Sequence, residues 1–267
     1  SRIYYMTGDF KKSKRNIEEA LTNYETYIKE FFPALSERQK TKYWNTIKSD
    51  FEFFNTLAFS KADDFRDLTG KVYNYQLLTK ALLLSSSIKI RENIQNSSND
   101  VLKTLFNLWM KKKETLTQVL SMSNAQISSN GIIADALTAE VEKMEKELGE
   151  KSEVFNIGFE SKRVTYENIQ KSLKEKEVAI EILRYRHFNH TFTDSIVYVG
   201  LYITADNQRP KIIRLSDGKQ MENRYYKYYR NAMVSRIRDM YSYKIFWEPI
   251  EKEIGSKYSN IYFSPDG

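Results

Sequence analysis

The hydrophobic pattern of this chain changes once, in residues 175–205, and that change constrains the fold more than any other feature of the sequence. Before this stretch, apolar residues recur at intervals of three and four, which is typical of amphipathic helices. Within it, Val178, Ile180 and Ile182 alternate with their neighbours, as in a half-buried strand. Residues 195–203 are almost continuously apolar, as in a strand covered on both faces. The pattern therefore predicts a helical region followed by a sheet.

Two helices are predicted near the start of the chain. Apolar residues on a single face place the first helix at about residues 14–32, and Pro33 closes it. Ser36 with Gln39 matches a capping box for the second helix, whose apolar face continues to about residue 58. Because the connection is so short, we expect an αα-hairpin, the unit from which helical repeat arrays are built.

Three further helices are expected before residue 160. Asp63 or Asp64 caps one that runs to about residue 94, another begins near Asp100, and the last carries apolar residues at near-heptad spacing from Ile133 onward. The inward positions expected on the last two are Leu102, Leu105, Trp109, Leu116, Leu120, Ile133, Leu137, Val141, Met144 and Leu148. Because the helices share no strict repeat period, the expected architecture is an irregular, repeat-associated helical bundle.

The sheet is expected to contain four strands, with a short helix capped by Thr165 before them. The strands are expected at about residues 178–188, 194–204, 211–215 and 260–263. Close spacing along the chain predicts that the first pairs are antiparallel. Helices are expected at about residues 219–243 and 247–254. The predicted fold class is α+β, mainly α.

Composition excludes several classes of site. The net charge of +7 permits contact with nucleic acid or anionic lipid, but the 42 basic residues are interspersed with 35 acidic ones, which favours a solvated surface. The chain has no Cys, which excludes a disulfide, a thiolate metal site and a cysteine nucleophile within it. No apolar run approaches the roughly 20 residues of a membrane span, and the first residues lack the apolar core of a signal peptide. We therefore expect no membrane contact and a cytoplasmic location.

The two histidines, His187 and His190, lie at the end of the first expected strand, with Asp194 nearby. As a metal site they would need a third ligand. As general bases they have no Cys to serve and no G-x-S-x-G serine motif. The favoured interpretation is two hydrated loop histidines, and we assign no catalytic, metal-binding or cofactor-binding residue.

Two other segments carry candidate chemistry. Asp217, Gly218 and Lys219 lack the full phosphate-loop pattern and, with Ser216 before them, are interpreted as a turn. Residues 223–241 mix cations and aromatic rings, as single-strand nucleic-acid platforms do, but such platforms usually lie on strands. The residues concerned are Arg224, Tyr225, Tyr226, Lys227, Tyr228, Tyr229, Arg230, Arg236 and Arg238. The favoured interpretation is an amphipathic helix whose tyrosines pack while its cations face water or a partner, so nucleic acid is not the expected ligand.

Five segments together resemble a known family. In order along the chain they are EVAIEILRYRHF, TDSIVYVGLYIT, PKIIRL, FWEPIEKEI and NIYFSPDG. They resemble the amino-terminal part of CHAT domains, the caspase-like cysteine-protease domains found after tetratricopeptide repeats in bacteria. Upstream, ALSERQKTKYWNTIKSDFEFFN is similar to the segment that follows the repeats. The resemblance covers the chain from about Pro33 onward, most fully at residues 177–267.

The resemblance implies three regions: the end of a tetratricopeptide-like array at 1–35, a helical bundle at 36–160 and the first part of a caspase-like α/β domain at 161–267. In the family, a histidine on a later strand activates a cysteine after the next one. Both would lie beyond Gly267, so no catalytic residue transfers to this chain. Because functional groups gather just beyond the carboxyl ends of strands in open α/β sheets, a chain that stops there is expected to be a fragment.

The expected parent protein is a regulated cysteine endopeptidase. Its helical region would bind a protein partner or protein substrate, and this chain by itself would be inactive. Two alternatives stay open: a helical scaffold for protein partners with no catalytic parent, and a nucleic-acid-binding module built on the Tyr/Arg helix.

Overall fold

Helices precede and cover one small sheet, as the change in hydrophobic pattern predicts. The computed structural model describes residues 1–31, 35, 37–84, 94, 96–120, 122, 133–151 and 164–266. Before the sheet lie α1 (Arg2–Met6), α2 (Phe10–Phe31), α3 (Glu37–Ser60), α4 (Leu68–Leu84), α5 (Asp100–Leu120), α6 (Ala134–Lys151) and α7 (Tyr166–Ser172). The strands are β1 (Glu177–Asn189), β2 (Thr191–Thr204), β3 (Lys211–Asp217) and β4 (Asn260–Ser264). The fold class is α+β, mainly α, as predicted.

Two helices between β3 and β4 each contain a π-helical turn. Helix α8 consists of Gly218–Gln220, the π-helical turn Met221–Tyr225 and Tyr226–Ser235. Helix α9 consists of the π-helical turn Tyr243–Trp247 and Glu248–Ile254. The prediction that α8 continues to residue 243 is wrong: Arg236 takes a left-handed conformation with φ 52° and ends the helix.

The chain divides into two compact units, and neither is a continuous stretch of sequence. Unit 1 contains Ser1–Glu19, Ser49–Thr79 and Arg163–Gly267, and unit 2 contains Ala20–Lys48 and Lys80–Lys162. The family resemblance predicts three continuous regions with boundaries near residues 35 and 160. These regions are defined by sequence similarity and not by compact packing, so the two compact units do not test them. The three regions stay a prediction.

The sheet of unit 1 has the strand order β3-β2-β1-β4. The β1–β2 and β2–β3 pairs are antiparallel, as predicted, and β4 lies parallel to β1. The β1–β2 hairpin turns at His190, whose φ is 60°, and its register shifts between Arg186 and Phe188. All four predicted strands are present, each extended by a few residues beyond its predicted bounds.

Helices cover both faces of β1. On one face, which we call the cleft side, Val178, Ile180 and Ile182 belong to an apolar cluster with residues of α8 and α9. On the other, which we call the α3 side, Tyr185 stacks on Phe59 of α3 with ring centroids 5.8 Å apart. The expectation of a half-buried strand here is therefore wrong, because α3 shields the face that would otherwise meet water. In β2, residues 198–204 are buried, as expected of a strand covered on both faces.

Two helices of unit 1 differ from the prediction: α1 was not predicted, and α4 begins later than predicted. Helix α1 was not predicted, since five residues are too few to display a period. Its Tyr5 packs edge to face against Phe53 of α3, and its Arg2 donates to Asp50. Helix α4 begins at Leu68 rather than at Asp63 or Asp64, because residues 61–67 form successive turns closed by backbone hydrogen bonds. The expected short helix after Thr165 is present as α7.

Helices α5 and α6 of unit 2 share an apolar core. Asn99 caps α5 by accepting a hydrogen bond from Leu102 N, in agreement with a helix predicted to start near Asp100. The buried members of the core are Ile94, Leu102, Phe106, Trp109, Val141, Met144 and Leu148, with Leu105 and Leu116 partly buried. Two predicted inward positions are wrong: Leu120 is 66% exposed, and Ile133, which precedes α6, is 71% exposed. Of the seam predicted from near-heptad spacing, Val141, Met144 and Leu148 are confirmed as core residues, and Leu137 is half-buried outside that core.

The hairpin predicted from the first two helices has a contact that supports it. Tyr27 of α2 stacks on Tyr43 of α3 with ring centroids 4.5 Å apart, which places the two helices side by side in unit 2. Pro33 and Ser36, the predicted helix end and cap, lie outside the described residues, as does most of the serine-rich segment 121–131. Of the helices described, none is long and apolar enough to cross a membrane.

Candidate functional site

A cleft of about 620 Å³ lies on the cleft side of the sheet in unit 1. Apolar side chains from every neighbouring element form most of its wall. They include Ile182 of β1, Leu215 of β3, Met221 of α8, Phe246 of α9 and Phe263 of β4. Concave apolar surfaces of this size that carry a few polar groups are the usual form of a ligand site. We therefore take this cleft as the candidate functional site.

Strand alternation in β1 and the π-helical turns of α8 and α9 bring the lining residues to the cleft. Ile182 and Arg184 follow Val178 and Ile180 at intervals of two, so they project from β1 toward α8 and α9. Both π-helical turns also reach the cleft, through Glu222 of α8 and Phe246 of α9. A π-helical turn inserts one extra residue into a helix, and such turns occur frequently at functional sites. Two of them at one cleft single it out from the rest of the surface.

An ion pair between Arg184 and Glu222 forms the polar wall of the cleft. Arg184 Nε donates to Glu222 Oε1 and its second guanidinium nitrogen donates to Oε2 at 3.1 Å, a bidentate arrangement. The hydroxyl of Tyr198 also donates to Glu222, at 3.0 Å. The hydrogen bond from Arg184 lowers the pKa of the Glu222 carboxyl, and partial burial raises the pKa of Tyr198 to about 12. Glu222 is thus held ionised and Tyr198 neutral at pH 7.

Asp266 lies at the edge of the cleft, just beyond the carboxyl end of β4. Its Oδ2 accepts hydrogen bonds from the backbone N–H of Arg184 at 3.1 Å and from Nε2 of Gln76 at 3.2 Å. The strand itself is fixed by Ser264, whose hydroxyl donates to Glu181 at 3.0 Å. These bonds fix the end of β4 against β1.

The polar groups of the cleft are engaged with one another. Its guanidinium is already paired with a carboxylate, so an anionic ligand would have to displace Glu222. The hydroxyl of Ser264 donates to Glu181 and has no histidine beside it in the described part of the chain. The cleft is an apolar pocket with the Arg184–Glu222 ion pair at one wall. Such a pocket suits an apolar side chain or a similar uncharged group.

The two histidines lie away from this cleft, at the turn of the β1–β2 hairpin. His187 falls at the register shift, where its carbonyl accepts from Thr193, and the ring of exposed His190 contacts the amide oxygen of Asn189 at 2.9 Å. Across the ranges that the structure describes, no three His, Cys, Asp or Glu residues come together as a metal site. Asp194 therefore does not complete a metal site with them.

Asp217, Gly218 and Lys219 open helix α8 instead of forming a free turn. Asp217 ends β3, and its carboxylate accepts from the backbone N–H groups of Lys219 and Gln220, which caps the helix. A Cβ on Gly218 would lie 2.5 Å from the carbonyl oxygen of Ile196, so only glycine fits. These roles are structural.

The tyrosines of the Tyr/Arg segment do not pack as expected. Tyr225 and Tyr228 are half-buried, but Tyr226 and Tyr229 are exposed, together with the cations around them. Burial of the tyrosines, the favoured interpretation from sequence, is therefore wrong for half of them.

Sequence reasoning missed Arg184, Glu222 and Tyr198. One signal was available: Arg184 is a charge inside an otherwise apolar strand, and a charge in such a place needs a partner. The partner could not be identified from the sequence, because Glu222 lies in a helix 38 residues away and resembles other surface carboxylates.

Comparison with known protein families, with curated protein sequences and with solved structures finds no match to this chain.

Proposed function

We propose that this chain is the helical partner-binding region and the non-catalytic first part of a caspase-like cysteine endopeptidase domain of the CHAT type. The basis is the order of the five motifs together with the architecture of unit 1. The observation that carries the proposal is the exposure of apolar side chains on β4, which is an edge strand among the strands described.

Strand β4 is an edge strand with apolar side chains in contact with solvent. Ile261, Tyr262 and Phe263 are 38%, 55% and 43% exposed, whereas residues 177–181 of β1, which pair with β4, are buried. An exposed apolar edge with unpaired backbone groups is a template for another strand. A strand parallel to β4 would continue the sheet and would place its carboxyl end beside Asp266 and the cleft, where functional groups of α/β sheets gather.

Later strands of the parent protein would supply the catalytic pair. A histidine would take the thiol proton of a cysteine, and the thiolate would attack the peptide carbonyl. This chain contains no Cys, so by itself it has no such nucleophile. The cleft would then hold an apolar side chain near the reacting groups, and a cytoplasmic location belongs to the same proposal.

The gene that encodes this chain tests the proposal directly. We expect the reading frame to continue after the codon for Gly267 and to encode a histidine and then a cysteine at the ends of further strands. The longer product should cleave a protein substrate, its Cys→Ala variant should not, and residues 1–267 alone should be inactive. A stop codon after Gly267 would contradict the proposal.

Unit 2 favours partner binding by the helical region. Val101 and Leu108 of α5 are 71% and 47% exposed and lie two turns apart on one face of the helix. Exposed apolar residues on one helix face are groups that a partner protein could cover. If the reading frame stops, this face supports the alternative of a helical scaffold. Loss of partner capture on Val101→Ser with Leu108→Ser would then be the test.

A further inference from the structure

The most exposed apolar surface of unit 1 lies at the end of α8 and in the turn after it. We call residues 224–243 the docking segment. Between 233 and 241, every residue except Asp239 is exposed. The apolar members of the segment include Val234, which is 80% exposed, and Met233, Ile237, Met240, Tyr241 and Tyr243, each exposed by half or more. Because residues 233–241 are so exposed, this part of the segment lies at the outer surface of the unit and does not line a groove.

The docking segment is ordered by its own contacts. Ile237 N donates to the carbonyl of Ala232 at 3.0 Å, which folds the chain back at the end of α8. Asp239 accepts from two backbone N–H groups, those of Tyr241 and Ser242, each at 3.0 Å. Tyr241 also packs edge to face on Tyr228 of the helix. The apolar side chains are therefore presented on a fixed frame.

Cations lie in the same segment as these apolar side chains. Arg224, Lys227, Arg230, Arg236 and Arg238 are all exposed. Among the described residues, none of the five has an ion pair within 4.0 Å. The one acid between 224 and 243, Asp239, is engaged with the backbone and partly buried. The segment therefore carries a net positive charge beside an apolar tip, with the carboxylate of Glu251, which accepts from the Tyr243 hydroxyl, at its end.

This combination matches the surface of a bilayer better than it matches nucleic acid. Val234, Ile237 and Met240 have no ring on which a base could stack, so a nucleic-acid platform would leave them in water. At a bilayer, aliphatic side chains enter the boundary between head groups and acyl chains, and tyrosine rings settle at the head groups. Arginine guanidinium groups pair with phosphate in a bidentate manner and extend back to the head-group level.

We propose that the docking segment binds the surface of bilayers that contain anionic lipid, with Val234, Ile237 and Met240 inserted and the flanking arginines on the lipid phosphates. This is peripheral contact and needs no membrane-spanning helix. It departs from the expectation of no membrane contact, which rested on the lack of a long apolar run. The proposal does not depend on the peptidase function.

Vesicle sedimentation with residues 1–267 tests the proposal. The probes are vesicles of pure phosphatidylcholine and vesicles in which about a third of the lipid is phosphatidylglycerol, at about 0.1 M salt. We expect binding to the anionic vesicles to be stronger than to the neutral ones by at least tenfold. Each cation at an anionic surface is worth a factor of roughly five, so Arg236→Gln with Arg238→Gln should weaken binding roughly 30-fold.

A matched control removes the same charge elsewhere. Arg209 and Lys111 are exposed residues outside the segment, and Arg209→Gln with Lys111→Gln should leave binding nearly unchanged. Val234→Ser with Ile237→Ser keeps the charge but removes the inserted groups, and should weaken binding roughly tenfold or more. Because these side chains are exposed, circular dichroism should report an unchanged fold for every variant.

Three results would overturn the proposal. One is equal binding to neutral and anionic vesicles, and another is equal loss in the control and in the Arg236/Arg238 pair. The third is binding of a single-stranded oligonucleotide, weakened by Tyr226→Ala with Tyr229→Ala, while vesicles of either composition do not bind. That outcome would assign the segment to nucleic acid.

Discussion

Two positions of β1, two residues apart, carry the same chemical pair in different surroundings. At the cleft, Arg184 pairs with Glu222, and both side chains are nearly a third exposed. Beside α3, Arg186 pairs with Glu52, whose side chain is only 5% exposed. The comparison teaches that an Arg–Glu pair on this strand does not by itself mark a site. What distinguishes the cleft is that water, and hence a ligand, can reach the pair there.

The α3 side is closed by aromatic rings. Phe188 packs edge to face on Phe53 and on Phe192, with centroids 5.1 and 5.3 Å apart. The guanidinium groups of Arg2 and Arg186 both lie about 5 Å from the centroid of Phe192, where the ring attracts cations. On the cleft side, Trp247 packs edge to face on Phe263 with centroids 5.9 Å apart, but the cleft beside them stays open. Both sides contribute a packed core, and the cleft side in addition has room for a ligand.

The largest expected effect is that of Phe53→Ala. Phe53 is fully buried, and its removal leaves a cavity beside Phe188 that the packed helix cannot refill. We expect the free energy of unfolding in urea to fall by about 4 kcal/mol. The matched variant Phe246→Ala, at the half-buried wall of the cleft, should cost about 1 kcal/mol, because part of that ring already faces water. Equal losses would mean that the two faces do not differ in packing.

Arg186→Ala should have the next largest effect. It leaves the carboxylate of Glu52 buried and without its guanidinium, and we expect a loss of about 2 kcal/mol in the free energy of unfolding. The half-exposed position of Arg186 keeps the loss below that of a fully buried pair. Adding Glu52→Gln to Arg186→Ala removes the buried charge and should restore part of the stability in the same urea titration. If the double variant is less stable than Arg186→Ala, burial of the charge is not the cause.

The sequence was sufficient to predict the strands and most helices, because their hydrophobic periods are set locally. It was not sufficient to predict which faces are covered. Val178, Ile180 and Ile182 alternate like a half-buried strand, yet α3, more than 100 residues earlier, covers the second face. Coverage of this kind depends on tertiary packing, which a local period does not report.

The candidate site was beyond sequence reasoning for a similar reason. Glu222 gains its partner and its lowered pKa only because the π-helical turn of α8 faces Arg184 across the cleft. The apolar periodicity around residue 222 indicates a helix, but it does not indicate an inserted turn. The exposure of Tyr226 and Tyr229 was missed because helical amphipathicity predicts which side is apolar, and not whether another element covers it.

Arg184→Ala should cost less than Arg186→Ala, about 1 kcal/mol in the free energy of unfolding. The remaining carboxylate of Glu222 is partly exposed, so water replaces the guanidinium, and the hydroxyl of Tyr198 still donates to it. Urea titration of the two alanine variants under the same conditions compares the two Arg–Glu pairs directly. A loss as large as that of Arg186→Ala would show that the Glu222 pair is closed to solvent and would count against the cleft as a ligand site.

The smallest effect is a dependence on pH that belongs to Glu222. The hydrogen bond from Arg184 lowers the pKa of this carboxyl in the folded protein from its ordinary value of 4.5. Ionised Glu222 therefore stabilises the fold fully above about pH 5, and this contribution is lost as the pH falls through the lowered pKa of the folded state. We expect wild type to exceed Glu222→Gln by at most about 1 kcal/mol at neutral pH, and the difference to shrink toward about pH 3.

The free energy of unfolding is measured against pH for wild type and for Glu222→Gln, and one curve is subtracted from the other. The difference reports Glu222 alone, since all other carboxyl groups titrate in both proteins. The same subtraction carried out in an Arg184→Met background removes the cause of the lowered pKa. There the difference between Glu and Gln at position 222 should no longer change strongly with pH. If the pH dependence survives, the guanidinium does not set the pKa of Glu222. Groups other than Arg184 would then keep Glu222 ionised. The two Arg–Glu pairs would differ only in how they are packed.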